Sequence, residues 1–228
     1  TVDVTGQTLG DRLEPEMDWV DRRVIRKFDN PVSDQGGLIS LTGNIAPDGA
    51  IFKRAAATPD LFETEGRAVV FDSLEDLAAR VDDPDLDIEA EDIMVLKGAG
   101  PIAAGMPEAG YLPIPKKLAR AGVKDIVRIS DARMSGTAFG TIVLHISPEA
   151  GAGGPLAAVQ SGDRIRLSVK NKSIDLLVSE QEIANRLGEF TPAKTFKRGY
   201  RALFEQTVLQ APDGCDFDFL THSGKSEK

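Results

Sequence analysis

The sequence predicts an α/β fold built on a mixed, barrel-like β-sheet that is flanked by helices. Strand-like segments outnumber helical ones in the middle of the chain. The strict alternation of strand and helix that a doubly wound parallel sheet requires is also incomplete. Two segments have the pattern of hairpins, and a hairpin adds antiparallel strands to a sheet.

Length and composition indicate a soluble globular protein. The 228 residues suffice for one large domain or two small ones, and 41% hydrophobic and 28% charged residues are ordinary values. No apolar run approaches the roughly 18–20 residues that span a bilayer, and no signal segment opens the chain. We therefore expect a soluble, cytoplasmic protein without a membrane partner. The formal net charge of −9 argues against a nucleic-acid partner, whose phosphates would be repelled.

The first regular element is expected after residue 36. Residues 1–36 show no sustained period of 2 or 3.6 residues, so they are predicted to form an extended arm or linker. Residues 38–55 then alternate in the manner of two strands, and Pro47-Asp48-Gly49 predicts the turn between them.

Strands and helices alternate in the next part of the chain. Residues 66–72 and 93–96 have the pattern of buried strands. Between them, Ser73 is placed to accept a hydrogen bond from a free amide at the start of a helix. A glycine-rich segment, residues 98–110, follows the second strand and leads to a helix predicted over 115–122.

The last part of the chain is predicted to add strands first and helices afterwards. Residues 126–130 and 141–147 have the pattern of strands, and residues 163–179 alternate cleanly on both sides of a short turn, as a hairpin does. Ser179 begins a capping box for a short helix, and a final helix is predicted over 195–209.

Polar side chains concentrate in two segments that follow predicted strands. The first is the glycine-rich segment VLKGAGPIAAGMPEAG, in which Glu108 is either a solvated loop carboxylate or a ligand of Mg²⁺, which prefers oxygen donors. The second is ISDARMSGTAFG, residues 129–140, which holds an acid, a base and two hydroxyls. A surface turn needs only one or two of these groups, so this second segment is a candidate site.

Residue types alone leave the chemistry of this site open. Ser135 lacks the Gly-x-Ser-x-Gly pattern of an acyl hydrolase, and the sequence cannot place His145 beside it. A histidine on an apolar strand is more often a hydrogen-bonded core residue. Asp131 and Arg133 could pair with each other or with backbone amides. Cys215 is the only cysteine, so the chain alone can form neither a disulfide nor a cysteine-rich metal cluster.

Four blocks of the sequence together resemble one enzyme family. ISDARMSGTAFG, GAGPIAAGMPEAG, HISPEAGAGGPLAAVQSGDRIRL and GGLISLTGNIAPDGA are similar to blocks of the dihydroxy-acid, phosphogluconate and sugar-acid dehydratases, in the same order. The resemblance covers roughly residues 1–210 and corresponds to the C-terminal part of such an enzyme. It implies a swivelling β/β/α domain, which we assign to residues 37–210. The polar residues 211–228 that follow are predicted, from the sequence itself, to form a loose tail.

The resemblance implies a hydro-lyase that acts on a 2,3-dihydroxy carboxylic acid. The C2 proton leaves, the C3 hydroxyl departs, and the resulting enol becomes a 2-keto-3-deoxy acid. By resemblance, Ser135 takes the C2 proton as an alkoxide and Glu108 binds Mg²⁺, while an iron–sulfur cluster of the 2Fe–2S type assists the departing hydroxyl. A free serine hydroxyl is too weakly acidic for this role, so adjacent cations must favour its ionised form.

Thr137 directs the resemblance toward one branch of the family. The dihydroxy-acid enzymes usually carry a small apolar residue or glycine there, whereas SDARMSGTA resembles the aldonate dehydratases, which act on arabinonate, xylonate or related acids. The Thr137 hydroxyl could bind the sugar-acid substrate or assist proton return. The alternatives are a dihydroxy-acid dehydratase of branched-chain amino-acid synthesis and a non-catalytic swivelling module of a hydro-lyase.

The cluster-binding cysteines and the other Mg²⁺ ligands of the family belong to an N-terminal domain that this sequence lacks. We therefore expect the chain to work with the N-terminal domain of the same enzyme, to be inactive alone, and to form a homo-oligomer.

Overall fold

A computed structural model of the protein describes residues 2–12, 20–106, 112–191 and 196–221. Contacts divide the chain into two units, Thr1–Gly36 and Gly37–Lys228. The first contains helix α1, Leu9–Arg12, and a single bridge between Val2 and Thr8. The interpretation of residues 1–36 as an arm or linker stays a prediction.

The second unit is built on a closed barrel of mixed strands. Its strands are β1 Ile39–Gly43, β2 Ala46–Phe52, β3 Glu63–Phe71, β4 Ile93–Leu96, β5 Val127–Ser130, β6 Ile142–Ser147, β7 Arg164–Ser168 and β8 Ser173–Leu176. The order around the barrel is β1-β2-β6-β5-β4-β3-β7-β8. Strands β3, β4, β5 and β6 pair in parallel, whereas β1–β2, β2–β6, β3–β7 and β7–β8 pair antiparallel. The predicted mixed, barrel-like sheet is confirmed.

Short helices connect and cover the strands. They are α2 Leu74–Arg80, α3 Pro101–Ala104, α4 Lys116–Arg120, α5 Glu180–Gly188 and α6 Tyr200–Thr207. Ser73 and Ser179 accept hydrogen bonds from the first turns of α2 and α5, as predicted. The last helix was predicted from residue 195, which lies outside the described residues; residues 196–199 are not helical, and α6 begins after Gly199, whose φ of 85° is left-handed.

Alternate residues of the central strands pack into two separate apolar clusters. Side chains from all eight strands, such as Leu41 and Ile129, fill the interior of the barrel. The opposite face of β3 to β6, with Phe71 and Met94, packs outside the barrel against Leu77 of α2 and Leu118 of α4. Every residue of β4 and β5 is buried, as expected for parallel strands covered on both faces. This two-sided packing holds the carboxyl ends of the strands at one fixed edge.

The turn of the first hairpin lies earlier than the sequence predicts. Pro47-Asp48-Gly49 is part of β2, which bulges at Gly49, and the chain reverses at Asn44 and Ile45. Asn44 decides the position of the turn through long-range bonds, because its side chain donates to the Leu176 carbonyl at 2.8 Å and accepts from the Leu176 amide at 2.7 Å. The local turn signal is thus overridden by pairing with β8.

The end of the described chain folds back on α6. Val208 bridges to Phe217, and the Phe217 ring packs edge-on against Phe204 with centroids 5.7 Å apart. Residues 222–228 of the predicted tail lie outside the described residues. Among the helices in the described ranges, none has the length and apolar character that crossing a membrane requires.

Candidate functional site

The two polar segments found in the sequence meet at one edge of the barrel. Strands β4 and β5 are parallel neighbours, so the segments that leave their carboxyl ends start side by side. Asp131, directly after β5, is 1% exposed, and one carboxylate oxygen accepts a hydrogen bond from the Ala99 amide at 2.9 Å. The other oxygen accepts from the Ala150 amide, after β6, at 3.0 Å. One buried carboxylate therefore joins the loops of three adjacent strands.

Burial makes the Asp131 carboxylate unusually easy to protonate. Desolvation raises the pKa of Asp131 to about 6, the amide hydrogen bonds oppose that rise, and the nearby carboxylate of Glu149 adds to it. The sequence left open whether Asp131 pairs with Arg133 or with backbone amides. Its hydrogen bonds are with the amides of Ala99 and Ala150.

Glu149 is a second buried carboxylate at this edge, and sequence reasoning missed it. It is 1% exposed and accepts hydrogen bonds from the amides of Ile102 and Ala103, at 2.8 and 3.1 Å, at the start of α3. Gln210 also donates to it at 2.9 Å. Its position after the β6 strand, next to a glycine-rich loop, was the available signal. Glu149 ties the glycine-rich loop after β4 to the segment that follows α6.

Ser135 lies in a tight turn with its side-chain oxygen next to two hydrogen-bond groups. The amide of Ala138 donates to the Ser135 carbonyl at 3.1 Å, which closes the turn. The Ser135 Oγ accepts from the Thr137 amide at 3.2 Å and lies 3.1 Å from Thr137 Oγ1. The structure thus brings together the two predicted catalytic residues, Ser135 and Thr137.

The outer side of this turn is open. Ser135 itself is 9% exposed, but a Cβ added at Gly136 would meet no atom of the described residues within 4 Å. Phe139, at the end of the same segment, is 74% exposed. Among the described residues, the outer side of the turn is therefore exposed at Gly136 and Phe139.

In the described part of the chain, the side chains of Lys53, His145 and Arg128 bind the turn from the barrel side. Lys53, after β2, donates from its ammonium to the carbonyls of Gly136 and Ala138, at 2.7 and 3.1 Å. His145 of β6 accepts from the Met134 amide at 2.7 Å through Nε2. Arg128 of β5 is buried and donates to the Phe139 carbonyl at 3.0 Å. Sequence reasoning missed Lys53, because its contacts are with backbone carbonyls more than 80 residues away. It also missed the role of Arg128 at the Phe139 carbonyl.

His145 has a hydrogen-bonded, structural position beside the site. Its backbone adopts a left-handed φ of 56°, and its amide donates to the Ala132 carbonyl at 2.9 Å. Burial, followed by the charge of Arg133, lowers the pKa of His145. Both effects favour the neutral ring, whose free Nε2 the Met134 amide requires.

The donor groups of this chain do not fit an iron–sulfur cluster. The sequence has one cysteine, and its sulfur lies 3.0 Å from the sulfur of Met106. Burial, followed by the charge of Glu149, raises the pKa of the Cys215 thiol, which disfavours the thiolate that binds metals. Within the described ranges, no three His, Cys, Asp or Glu side chains form a group that could hold a metal ion. Glu108, the predicted Mg²⁺ ligand, lies outside the described residues.

A cleft of about 620 Å³ opens beside the loop that follows β4. Its walls include Asp72, Lys97, Gly98 and Arg201, but neither Ser135 nor Thr137. The cleft and the serine turn are therefore separate features of the same unit.

Comparison with known proteins shows the family to which the chain belongs. Residues 23–215 match the family model of the C-terminal domain of dihydroxy-acid/6-phosphogluconate dehydratases. The chain belongs to this family.

Relatives in the family differ in how similar they are to this chain. It is 48% identical to the 6-deoxy-6-sulfo-D-gluconate dehydratase of Pseudomonas putida, over 95% of this chain and 38% of the relative. It is 46% identical to the L-arabonate dehydratase of Azospirillum brasilense, over 98% of this chain and 40% of the relative. A dihydroxy-acid dehydratase of Caldicellulosiruptor bescii is 38% identical over 92% of this chain and 38% of the relative. The chain thus spans about two fifths of the length of these relatives.

The serine segment offers a matched pair of glycine substitutions. Gly140 has a left-handed φ of 92°, and an added Cβ would overlap the side chains of Arg128 and Asp125. We expect Gly140→Ala to lower the free energy of unfolding by about 2 kcal/mol or more, since it combines strain with a clash. Gly136→Ala, four residues earlier, should change it by less than about 1 kcal/mol. Urea denaturation measures both; equal losses would contradict the described geometry.

The raised pKa of Asp131 predicts how stability depends on pH. Its carboxyl takes up a proton near pH 6 in the folded state but only near pH 3.8 when unfolded, so rising pH removes stability through this window. Relative to Asp131→Asn, which does not titrate, the wild type should lose about 1 to 2 kcal/mol between roughly pH 5 and pH 7. Urea denaturation of both proteins across this range gives the difference, and a difference independent of pH would count against the buried carboxylate.

Proposed function

We propose that this chain is the C-terminal part of a dehydratase that converts a sugar acid, an aldonate, into the corresponding 2-keto-3-deoxy acid. Family membership supports a hydro-lyase. The higher identity to the sulfogluconate and arabonate dehydratases than to the dihydroxy-acid dehydratase favours a sugar acid. The observation that carries the proposal is the hydrogen-bonded pair of Ser135 and Thr137 in a turn that is open on its outer side.

In the proposed reaction, Ser135 acts on the C2 proton of a 2,3-dihydroxy acid. Its alkoxide oxygen takes this proton, and the electrons of the C2–H bond form the C2–C3 double bond as the C3 hydroxyl leaves with its bonding electrons. The proton taken up by Ser135 is then given back to the departing hydroxide, which makes one water and restores the alkoxide. The resulting enol rearranges to the 2-keto acid. The substrate and the keto acid differ by one water molecule, so no oxidant or reductant is required.

The turn supplies donors that favour the ionised serine. Hydrogen bonds to a charged form lower its free energy relative to the neutral form. The Thr137 amide already donates to the Ser135 oxygen at 3.2 Å. Once Ser135 has lost its proton, the Thr137 hydroxyl, 3.1 Å away, must be the donor of the pair. Thr137 is therefore proposed as a catalytic residue that stabilises the base.

The remainder of the active site would come from sequence outside this chain. The family resemblance implies an iron–sulfur cluster and Mg²⁺, and the donor groups described above do not form a site for the cluster. We propose that an N-terminal domain of the same enzyme supplies the cluster ligands, and that Glu108 contributes to Mg²⁺ binding from this chain. Assembly of the enzyme as a homo-oligomer stays part of the proposal.

A substrate panel on the full-length enzyme tests this function. The panel contains L-arabonate, 6-deoxy-6-sulfo-D-gluconate and a branched 2,3-dihydroxy acid, and the measured product is the 2-keto acid. We expect turnover of a sugar acid and a loss of at least about 100-fold in kcat in Ser135→Ala, since the base would be missing. Ser40→Ala, at an exposed serine of β1, is the matched control and should keep full activity. Turnover of the branched acid alone would overturn the sugar-acid assignment.

Thr137→Ala tests the second hydroxyl. Removing one donor to a developing negative charge should lower kcat on a sugar acid by roughly 10- to 100-fold, and the amide donor at the same residue remains. Thr137→Ser keeps the hydroxyl and should retain most of the activity. Unchanged turnover and an unchanged order of substrates in Thr137→Ala would show that the hydroxyl has no part in the reaction.

A further inference from the structure

The charged side chain of Lys53 binds the backbone of the serine turn. Its ammonium donates to the Gly136 carbonyl at 2.7 Å and to the Ala138 carbonyl at 3.1 Å. Among the described residues, no carboxylate forms an ion pair with Lys53. A lysine ammonium is ordinarily solvated or paired with an acid, so its use on two carbonyls of one turn is unusual.

One peptide group links this ammonium to the oxygen of Ser135. The Gly136–Thr137 peptide is planar and trans, so its carbonyl oxygen and its N–H point in opposite directions. The oxygen accepts from Lys53, and the N–H donates to Ser135 Oγ at 3.2 Å. Two consecutive hydrogen bonds through a single peptide therefore connect the positive charge with the proposed catalytic oxygen.

We propose that Lys53 is a positioning residue that holds the serine turn and, through the Gly136–Thr137 peptide, strengthens the amide hydrogen bond to Ser135. A charged donor on a carbonyl polarises the peptide and makes its N–H a better donor. The benefit is greatest when Ser135 is ionised, because the strengthened N–H then faces a full negative charge.

The other described side chains bind the segment at different places. His145 holds the entry of the segment at the Met134 amide, and Arg128 holds its exit at the Phe139 carbonyl. Within the turn, the Ala138 amide bonds to Ser135, which is an internal contact. Lys53 is the described side chain outside the segment that binds the carbonyls in the middle of the turn.

Amide hydrogen exchange of the full-length enzyme tests the positioning role without reference to activity. Lys53→Met removes the charge at nearly constant length, and it should speed exchange in residues 135–140 by roughly 10-fold or more, because hydrogen bonds from a charged donor are stronger than those from a neutral one. Lys53→Arg retains a cation and should stay within about 3-fold of the wild type. Lys116→Met, at an exposed lysine paired with Asp82, is the matched control.

Exchange also distinguishes a local effect from loss of the fold. Amides of β4 and β5 should remain as protected in Lys53→Met as in the wild type. Unchanged exchange in residues 135–140 would overturn the proposal. If Lys53→Met does not fold, Lys53→Arg decides the matter: fast exchange there in a folded protein would equally overturn it.

Kinetics test the consequence for catalysis, which rests on the proposed function. With a sugar acid, Lys53→Met should lower kcat by roughly 10-fold or more and change KM by less than about 2-fold, and Lys53→Arg should restore most of kcat. An active wild type with an unchanged kcat in Lys53→Met would contradict the role of Lys53 and leave the proposed function intact. A wild type that dehydrates no acid of the panel would contradict the proposed function, and the exchange result would still decide whether Lys53 positions the turn.

Discussion

The carboxylate of Asp131 is the constraint on which the candidate site depends. It lies in the protein interior, and each of its oxygens accepts a hydrogen bond from a backbone amide. One amide belongs to Ala99, after β4, and the other to Ala150, after β6. Removing a carboxylate from water has a large free-energy cost, which its two hydrogen bonds offset only in part, as its raised pKa shows. These two hydrogen bonds join three loops at one edge of the barrel. The serine segment begins at this joined point.

A second set of contacts fixes the backbone of the serine segment, residues 129–140, and with it the position of the Ser135 hydroxyl. Arg128, His145 and Lys53 bind backbone groups of the serine segment, and the hydrogen-bond groups beside the Ser135 oxygen in the described part of the chain are the amide and hydroxyl of Thr137. The two cations, Lys53 and Arg128, donate to carbonyls of the segment. In the proposed role of Lys53, its charge acts on Ser135 through the Gly136–Thr137 peptide.

The parts of the site that sequence reasoning found are those that local patterns encode. The serine segment stood out because polar residues follow a strand end, and the structure places Ser135 and Thr137 together. Lys53 and Glu149 escaped notice because each binds backbone atoms far away in sequence, and no local pattern records such a bond. The turn predicted at residues 47–49 was wrong for the same reason, since Asn44 pairs with a strand more than a hundred residues away.

By itself, the sequence determined the mixed α/β class, the approximate places of the strands along the chain, the two capped helix starts and the family. The alternation of apolar and polar residues, the capping residues and the sequence motifs are all properties of neighbouring residues. They can therefore be identified without knowledge of the fold. Only the tertiary structure decided how the barrel closes, which loops meet and which charges are buried. Those outcomes depend on parallel neighbours such as β4 and β5, whose contacts join segments that are distant along the chain. Asp131 illustrates both contributions. The sequence shows an aspartate directly after a predicted strand, whereas its two amide partners, Ala99 and Ala150, are known only from the folded structure.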